Sequence, residues 1–294
     1  MKQKLFLPIV IAIIFSFVFV AGKYLATAIP PATMSFIRYG MASILFFPFL
    51  VKYRSRIKNI SKKDWIFIFA AAVMGVVLYH IFFYWALHFT SATNVSLIHA
   101  ANPLIVLVLS WLFLKQRASK RVVIGFFIAV FGIILIVSEG SLSQLLMFRL
   151  NRGELLMLIA TTSWAIYTIL LKQIDQKKVS SILLTALVSI IGWIILIPFA
   201  FHEVDVTFFS SISLQSWLAL LYMGIGSSGV GYFLYAKSTR DIGPSITSLM
   251  VYSLDPAFVA IVEWLWLGAS IGWIQVGGFL CICFGLIVAL FKKQ

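Results

Sequence analysis

Charge is scarce in this chain, and acidic charge is scarcest. Nine Asp and Glu stand against 23 Lys and Arg among 294 residues, 62 % of which are hydrophobic and only 11 % charged. Soluble domains carry about a quarter charged residues, so a water-soluble globule is excluded: too little polar surface exists to cover such a core. Cysteine is almost absent. Cys281 and Cys283 stand two positions apart, about 200° around a helix, which excludes a bridge or a shared metal and leaves two small buried hydrophobes. The four histidines, His80, His88, His99 and His202, are scattered. No His-Glu-x-x-His, no nucleophile beside a base and no phosphate loop ending in Gly-Lys-Ser/Thr occurs. An intramembrane enzyme and direct ATP drive are therefore not expected, and no cofactor or metal is implied.

What is present is hydrocarbon. Apolar stretches of about 20 residues, the length that crosses about 30 Å of bilayer, recur at 5–25, 32–51, 65–87, 93–114, 122–138, 154–172, 180–200, 215–236, 244–267 and 271–291. Only helices satisfy their own backbone in lipid at these lengths, so the expected fold class is an all-α integral membrane protein with ten transmembrane helices. Ala26-Thr27-Ala28 resembles a signal cleavage site, but the run before it exceeds the usual 7–15 residues, and it is expected to remain as the first helix.

The net charge of +14 would suggest nucleic acid in a soluble protein. Its distribution argues otherwise. With loops assigned alternately to two sides, one side collects Lys52, Arg54, Arg56, Lys58, Lys62, Lys63, Lys115, Arg117, Lys177, Lys178 and the basic residues at both termini, whereas the other holds only Lys23, Arg149 and Arg152. The positive-inside rule then places the N- and C-termini in the cytoplasm. The lipid bilayer, not nucleic acid, is the expected partner.

The chain also contains itself twice. Pro103, Trp111-Leu112-Phe113-Leu114, Gly125 and Gly132 recur 153 positions later as Pro256, Trp264-Leu265-Trp266-Leu267, Gly278 and Gly285. Expected boundaries are a first five-helix repeat at 1–140, a linker at 141–153, in which Ser141 to Phe148 form an interfacial amphipathic turn, and a second five-helix repeat at 154–294. Five spans per half is odd, so the repeats are inverted, an architecture from which inward-open and outward-open states arise by exchanging the conformations of the halves.

These residues carry a family resemblance. Pro30-Pro31-x(6)-Arg38, Tyr84-Trp85-Ala86-Leu87, Ser91-Ala92-Thr93 before Pro103, Ser163-Trp164-Ala165-Ile166-Tyr167, and Leu267-Gly268 after Pro256 resemble the EamA branch of the drug/metabolite transporter superfamily over almost the whole chain. The resemblance implies ten helices in two inverted repeats and transport of a metabolite, with amino-acid export the common case. The chain departs from the family's Leu-Gly-Glu: it reads Leu114-Lys115-Gln116 and Leu267-Gly268-Ala269, so no role of those glutamates carries over.

Ionisable groups within a bilayer are costly and mark function by default. Asp255, directly before Pro256, and Glu263 are the acids well inside a span, and both are candidates for proton coupling. Asn102 is the repeat partner of Asp255, and His99 that of Tyr252, giving each half a polar pair on one helix face beside a backbone carbonyl freed by proline. His80 and Tyr84 lie at i and i+4 on the third helix, with Tyr79 alongside; Tyr232 follows the glycine run Gly224 to Gly231, which is read as close helix packing, with a local unwinding point as the alternative. Trp164 and Tyr167 come from the sixth helix. The expected substrate-binding set is His80, Tyr84, His99, Asn102, Trp164, Tyr167, Tyr232, Tyr252 and Asp255. Trp111 and Trp264 are read as packing or interface anchors, and Arg38 as a structural pairing.

The expected function is a secondary transporter of a small polar or amphipathic metabolite, an amino acid or related solute, working by alternating access in a plasma membrane, such as a bacterial inner membrane. The alternative is a membrane scaffold or channel without carrier activity. Gly268-x-x-x-Gly272 permits a homodimer.

Overall fold

A computed structural model of the protein describes residues 2–114, 120–137, 151–268 and 272–290, and among them no strand occurs. The elements are α1 (Lys2–Ala26), α2 (Pro31–Lys52), α3 (Arg54–Lys58), α4 (Lys62–Ala72), α5 (Tyr79–Phe89), α6 (Ala92–His99), α7 (Asn102–Leu114) and α8 (Lys120–Val137). They continue as α9 (Arg152–Gln173), α10 (Ser181–Glu203), α11 (Phe208–Ser211), α12 (Leu214–Leu221), α13 (Tyr232–Ile242), α14 (Pro244–Leu267) and α15 (Trp273–Leu290). Two π-helical stretches, Val73–Leu78 and Tyr222–Gly231, join α4 to α5 and α12 to α13 into single rods.

The ends are where the sequence stops apolar periodicity with a cap. Ser61, Ser91, Ser180 and Ser213 accept the backbone N–H three residues ahead, the usual way to satisfy an orphan donor at a helix start. Pro31 and Pro244 occupy the first turn, where no N–H is needed. Gly268 closes α14 at φ 68°, in the left-handed region, so the first glycine of the proposed dimer motif is a helix terminator.

Among the described residues eight segments are long and apolar enough to cross a membrane: Phe6–Ala26, Pro31–Lys52, Lys62–Phe89, Ala92–Phe113, Arg152–Gln173, Ser181–Glu203, Leu214–Ile242 and Ile246–Leu267. The fifth and tenth expected runs fall on α8 and α15, which stand outside that set; both runs extend into positions outside the described residues. So does the expected linker turn at Ser141 to Phe148, as do Lys115, Gln116 and Ala269 of the departures from the family pattern.

Helix pairing crosses between the halves. α8 lies along α15, and α2 along α10; α1 packs on α14 as α9 packs on α6 and α7; α2 meets the second π stretch as α10 meets the first. Exchanging the halves maps this pattern onto itself. Close approach is built from absent side chains: a Cβ on Gly132 of α8 would lie 2.6 Å from the Gly278 carbonyl oxygen of α15, and one on Gly75 would lie 2.5 Å from the Tyr167 ring. The halves differ at mid-helix, where the α6–α7 rod breaks at Ala100–Ala101 ahead of Pro103, while α14 runs unbroken through Pro256.

One end of the bundle gathers the α1 and α5 C-termini and the starts of α2, α6, α9 and α15. Lys23 donates to the Leu87 and Thr90 carbonyls at 2.7 and 2.9 Å, and Gln275 donates to Asn94 at 2.6 Å. At the other end Asp64 accepts the Asp175 N–H at 3.1 Å, and Arg240 donates to the Val179 carbonyl at 2.5 Å.

Candidate functional site

The centre of the bundle is an aromatic box around Trp164, which is 1 % exposed. Its indole lies 4.7 Å from the Tyr79 ring, 4.8 Å from Tyr167, 5.0 Å from Tyr232 and 5.1 Å from Tyr235, centroid to centroid. These rings come from α5, α9 and α13, and Phe15 and Phe19 of α1 close the side. Beside them remains a cavity of about 20 Å³, bounded by Arg38, His80, His99, Ser227, Tyr232 and Tyr252 with the rings of Phe15, Phe19, Tyr79, Phe83 and Trp164. It has room for one water molecule. Every residue bounding it is buried, so the described conformation is closed towards both ends.

The polar groups are held by specific partners. His80 Nδ1 lies 3.1 Å from the Val76 carbonyl and Nε2 lies 3.1 Å from the Tyr232 hydroxyl. A carbonyl only accepts, so in the neutral ring Nδ1 carries the proton and Nε2 accepts from Tyr232. The Val76 carbonyl belongs to the first π stretch, where the widened turn displaces backbone groups from the regular ladder. Arg38, 1 % exposed, donates from Nε to the Met223 carbonyl and from Nη2 to the Ser227 hydroxyl, both at 3.3 Å and both in the second π stretch, and from Nη1 to the Tyr84 hydroxyl. The His99 ring lies against Tyr252, tilted, at 4.4 Å, and among the described residues neither of its nitrogens has a partner.

Of the expected substrate-binding residues, His80, His99, Trp164, Tyr232 and Tyr252 bound the cavity. Tyr84 reaches it through Arg38. Tyr167 packs behind Trp164 against Gly75. Asn102 turns to α9, donating to the Thr161 carbonyl at 3.1 Å. Asp255 is fully buried, and among the described residues neither of its oxygens has a hydrogen-bond partner. Glu263 stands apart from the box at the end of α14. Its carboxylate accepts the N–H groups of Ala92 and Thr93 at 2.9 and 2.8 Å, and the Thr93 hydroxyl. Trp111 and Trp264 are exposed at 48 % and 62 %, as outward-facing anchors are.

Arg38 is the site residue that the sequence reading set aside. The signal was available: it is the one Lys or Arg well inside an apolar run, away from either end. Its partners lie 46 to 189 positions away, which no local pattern discloses. Ser227 and the α1 phenylalanines were hidden for the same reason, being ordinary core residues until the fold makes them converge.

The comparisons agree with this architecture. The model of the EamA-like transporter family matches twice, over residues 3–138 and 151–291. The uncharacterized transporter YyaM of Bacillus subtilis is 25 % identical over 91 % of this chain and 87 % of its own length. An uncharacterized transporter of Archaeoglobus fulgidus is 31 % identical over 84 % of this chain and 82 % of its own. A solved crystal structure, 14 % identical, superposes with a TM-score of 0.68 over 98 % of this chain and 96 % of that one, a likeness of fold. The chain belongs to the EamA-like transporter family.

Proposed function

We propose that this protein is a secondary transporter of a small polar or amphipathic metabolite, an amino acid or related solute, moving it by alternating access, with export the favoured direction. The observation that carries the reading is the closed central cavity, walled by Trp164, Tyr232, Tyr252, His80, His99 and Arg38, in a bundle of apolar helices. A wholly apolar interior would be the cheaper way to hold ten helices together, since each polar side chain placed there is desolvated. A carrier needs such groups to replace the water that its substrate leaves behind. A channel would instead favour a continuous polar stripe, whereas these polar groups gather around one small cavity.

The cross-half pairings support alternating access, because the exchange that maps α1–α14 onto α9–α6 and α7 also interchanges the two ends of the site. In this reading α8 and α15 complete ten crossings, the two matched segments are the inverted repeats, and the basic end of the bundle faces the cytoplasm across a plasma membrane.

The test is counterflow in proteoliposomes, with a panel of labelled amino acids and small metabolites and excess unlabelled solute trapped inside. Saturable accumulation of one solute establishes a carrier. Non-saturating flux with unitary currents would give the channel reading instead, and a folded protein that moves nothing would give the scaffold.

A further inference from the structure

Arg38 holds a full positive charge in the middle of the bundle without a negative partner. An arginine buried within a bilayer is costly, and buried arginines normally meet a carboxylate. Among the described residues this one meets none: its partners are the Met223 carbonyl, the Ser227 hydroxyl and the Tyr84 hydroxyl, all neutral. A guanidinium has five N–H donors. Those three bonds use one on Nε and one on each terminal nitrogen, leaving one N–H on Nη1 and one on Nη2. Two remaining donors on one guanidinium can serve the two oxygens of a carboxylate.

The surroundings fit that occupant. Arg38 bounds the central cavity together with His80 and Tyr232, both neutral in the bonding pattern above. The three existing bonds fix the guanidinium between α2, α5 and the second π stretch, so it is oriented before any ligand arrives. The same lining includes Phe15, Phe19, Tyr79 and Trp164, rings suited to an apolar or aromatic body. A purely structural cross-link would need no permanent charge: a neutral amide could bridge the same acceptors at lower desolvation cost.

We propose that the central cavity is a carboxylate-binding site in which the free N–H groups of Arg38 receive the carboxylate of the transported solute, while the aromatic box takes its apolar part. This rests on the transporter reading and narrows it: the substrate carries a carboxylate, and a solute without one is not recognised at this site.

The experiment is thermal unfolding of the purified full chain in detergent, with L-phenylalanine, L-leucine, 3-phenylpropanoate and 4-methylpentanoate as carboxylate probes. Phenethylamine and isopentylamine, the amines lacking the carboxylate, serve as controls. At millimolar concentration at least one carboxylate raises Tm and its amine counterpart does not. Arg38→Gln weakens that probe about tenfold or more, the loss of a charge-assisted hydrogen bond, and Arg38→Lys, which keeps the charge and loses the fork, restores part of it. Ser238→Ala, which breaks the buried bond to Thr247 away from the cavity, lowers the Tm of the free protein, as a lost structural bond should, yet keeps the preference for carboxylate over amine.

Amines that stabilise as well as carboxylates would overturn the proposal, as would a carboxylate response that survives Arg38→Gln, or no response to any carboxylate probe. Counterflow of an amine or an uncharged solute, insensitive to Arg38→Gln, would overturn it while leaving the transporter reading intact. Absence of counterflow for every solute would remove the transporter reading itself.

Discussion

The Glu263 carboxylate caps the start of α6 in the same way that the Glu203 carboxylate caps the start of α2. Glu263 accepts from the Ala92 N–H, the Thr93 N–H and the Thr93 hydroxyl; Glu203 accepts from the Ala32 N–H at 3.1 Å, the Thr33 N–H at 2.7 Å and the Thr33 hydroxyl at 2.9 Å. Each clamp uses an Ala-Thr pair in the first matched segment and a glutamate near the end of a helix in the second. A carboxylate on a helix N-terminus is favoured both by the orphan N–H groups and by the dipole. The two clamps therefore tie the halves together at one end of the bundle.

Glu203→Gln and Glu263→Gln should each lower stability, by about 0.5–2 kcal/mol if they behave as ordinary caps. The larger loss is expected at Glu263, which is 2 % exposed, because the donors left behind there are out of reach of water. Thermal unfolding in detergent checks the order. Equal and negligible shifts would mean that the clamps hold nothing.

The positions of the crossings were legible in the sequence because hydrocarbon length alone sets them, and α9 and α10 lie within three residues of the expected runs. The convergence of His80 with Tyr232 was legible through the repeat, which assigned both to equivalent helices. The first π stretch was not. Gly224 to Gly231 was read as close packing with a local unwinding point as the alternative, and both features occur there: a Cβ on Gly224 would meet Met41 at 2.8 Å, and the segment is π-helical. Nor did the equivalence of Asn102 and Asp255 predict their environments. Asn102 finds the Thr161 carbonyl, and Asp255 finds no partner, because α6 and α7 break where α14 continues.

Glycine substitutions separate packing from propensity. Gly132→Ala places a methyl group against the backbone of α15, which cannot swing aside as a side chain can, so it should part α8 from α15 and lower Tm. Gly277→Ala faces open space and should be neutral or stabilising, by up to about 1 kcal/mol from helix propensity. Tm values for the two variants that move together would show that α8 and α15 do not pack in this way.

Tyr232→Phe removes the hydroxyl that donates to His80 Nε2 and leaves a buried acceptor unpaired. A cost of about 1–3 kcal/mol is expected for such a group, and affinity for the transported solute should fall by about tenfold, with the fold retained. Tyr235→Phe is the comparison: its hydroxyl bonds Thr168 and Ser248 at 3.0 and 3.2 Å, outside the cavity, so it should lower Tm without changing affinity. Titration of both variants with the solute identified by counterflow decides between them.

Asp255 poses the question of coupling. Its two oxygens are buried and unpartnered among the described residues, and a carboxylate so placed is stable only if it is neutral or if a cation comes to it. A group that must take up a proton in one state and release it in another is what coupling to a proton gradient requires. An imposed pH gradient should then drive net movement of substrate in wild-type vesicles. Asp255→Asn, which keeps the shape and cannot exchange a proton, should lose gradient-driven accumulation while retaining one-for-one exchange. Accumulation unaffected by the gradient in the wild type would remove proton coupling. Loss of both activities in a folded variant would instead make the carboxylate part of the binding site, where it would face the charge opposite to the one that Arg38 receives.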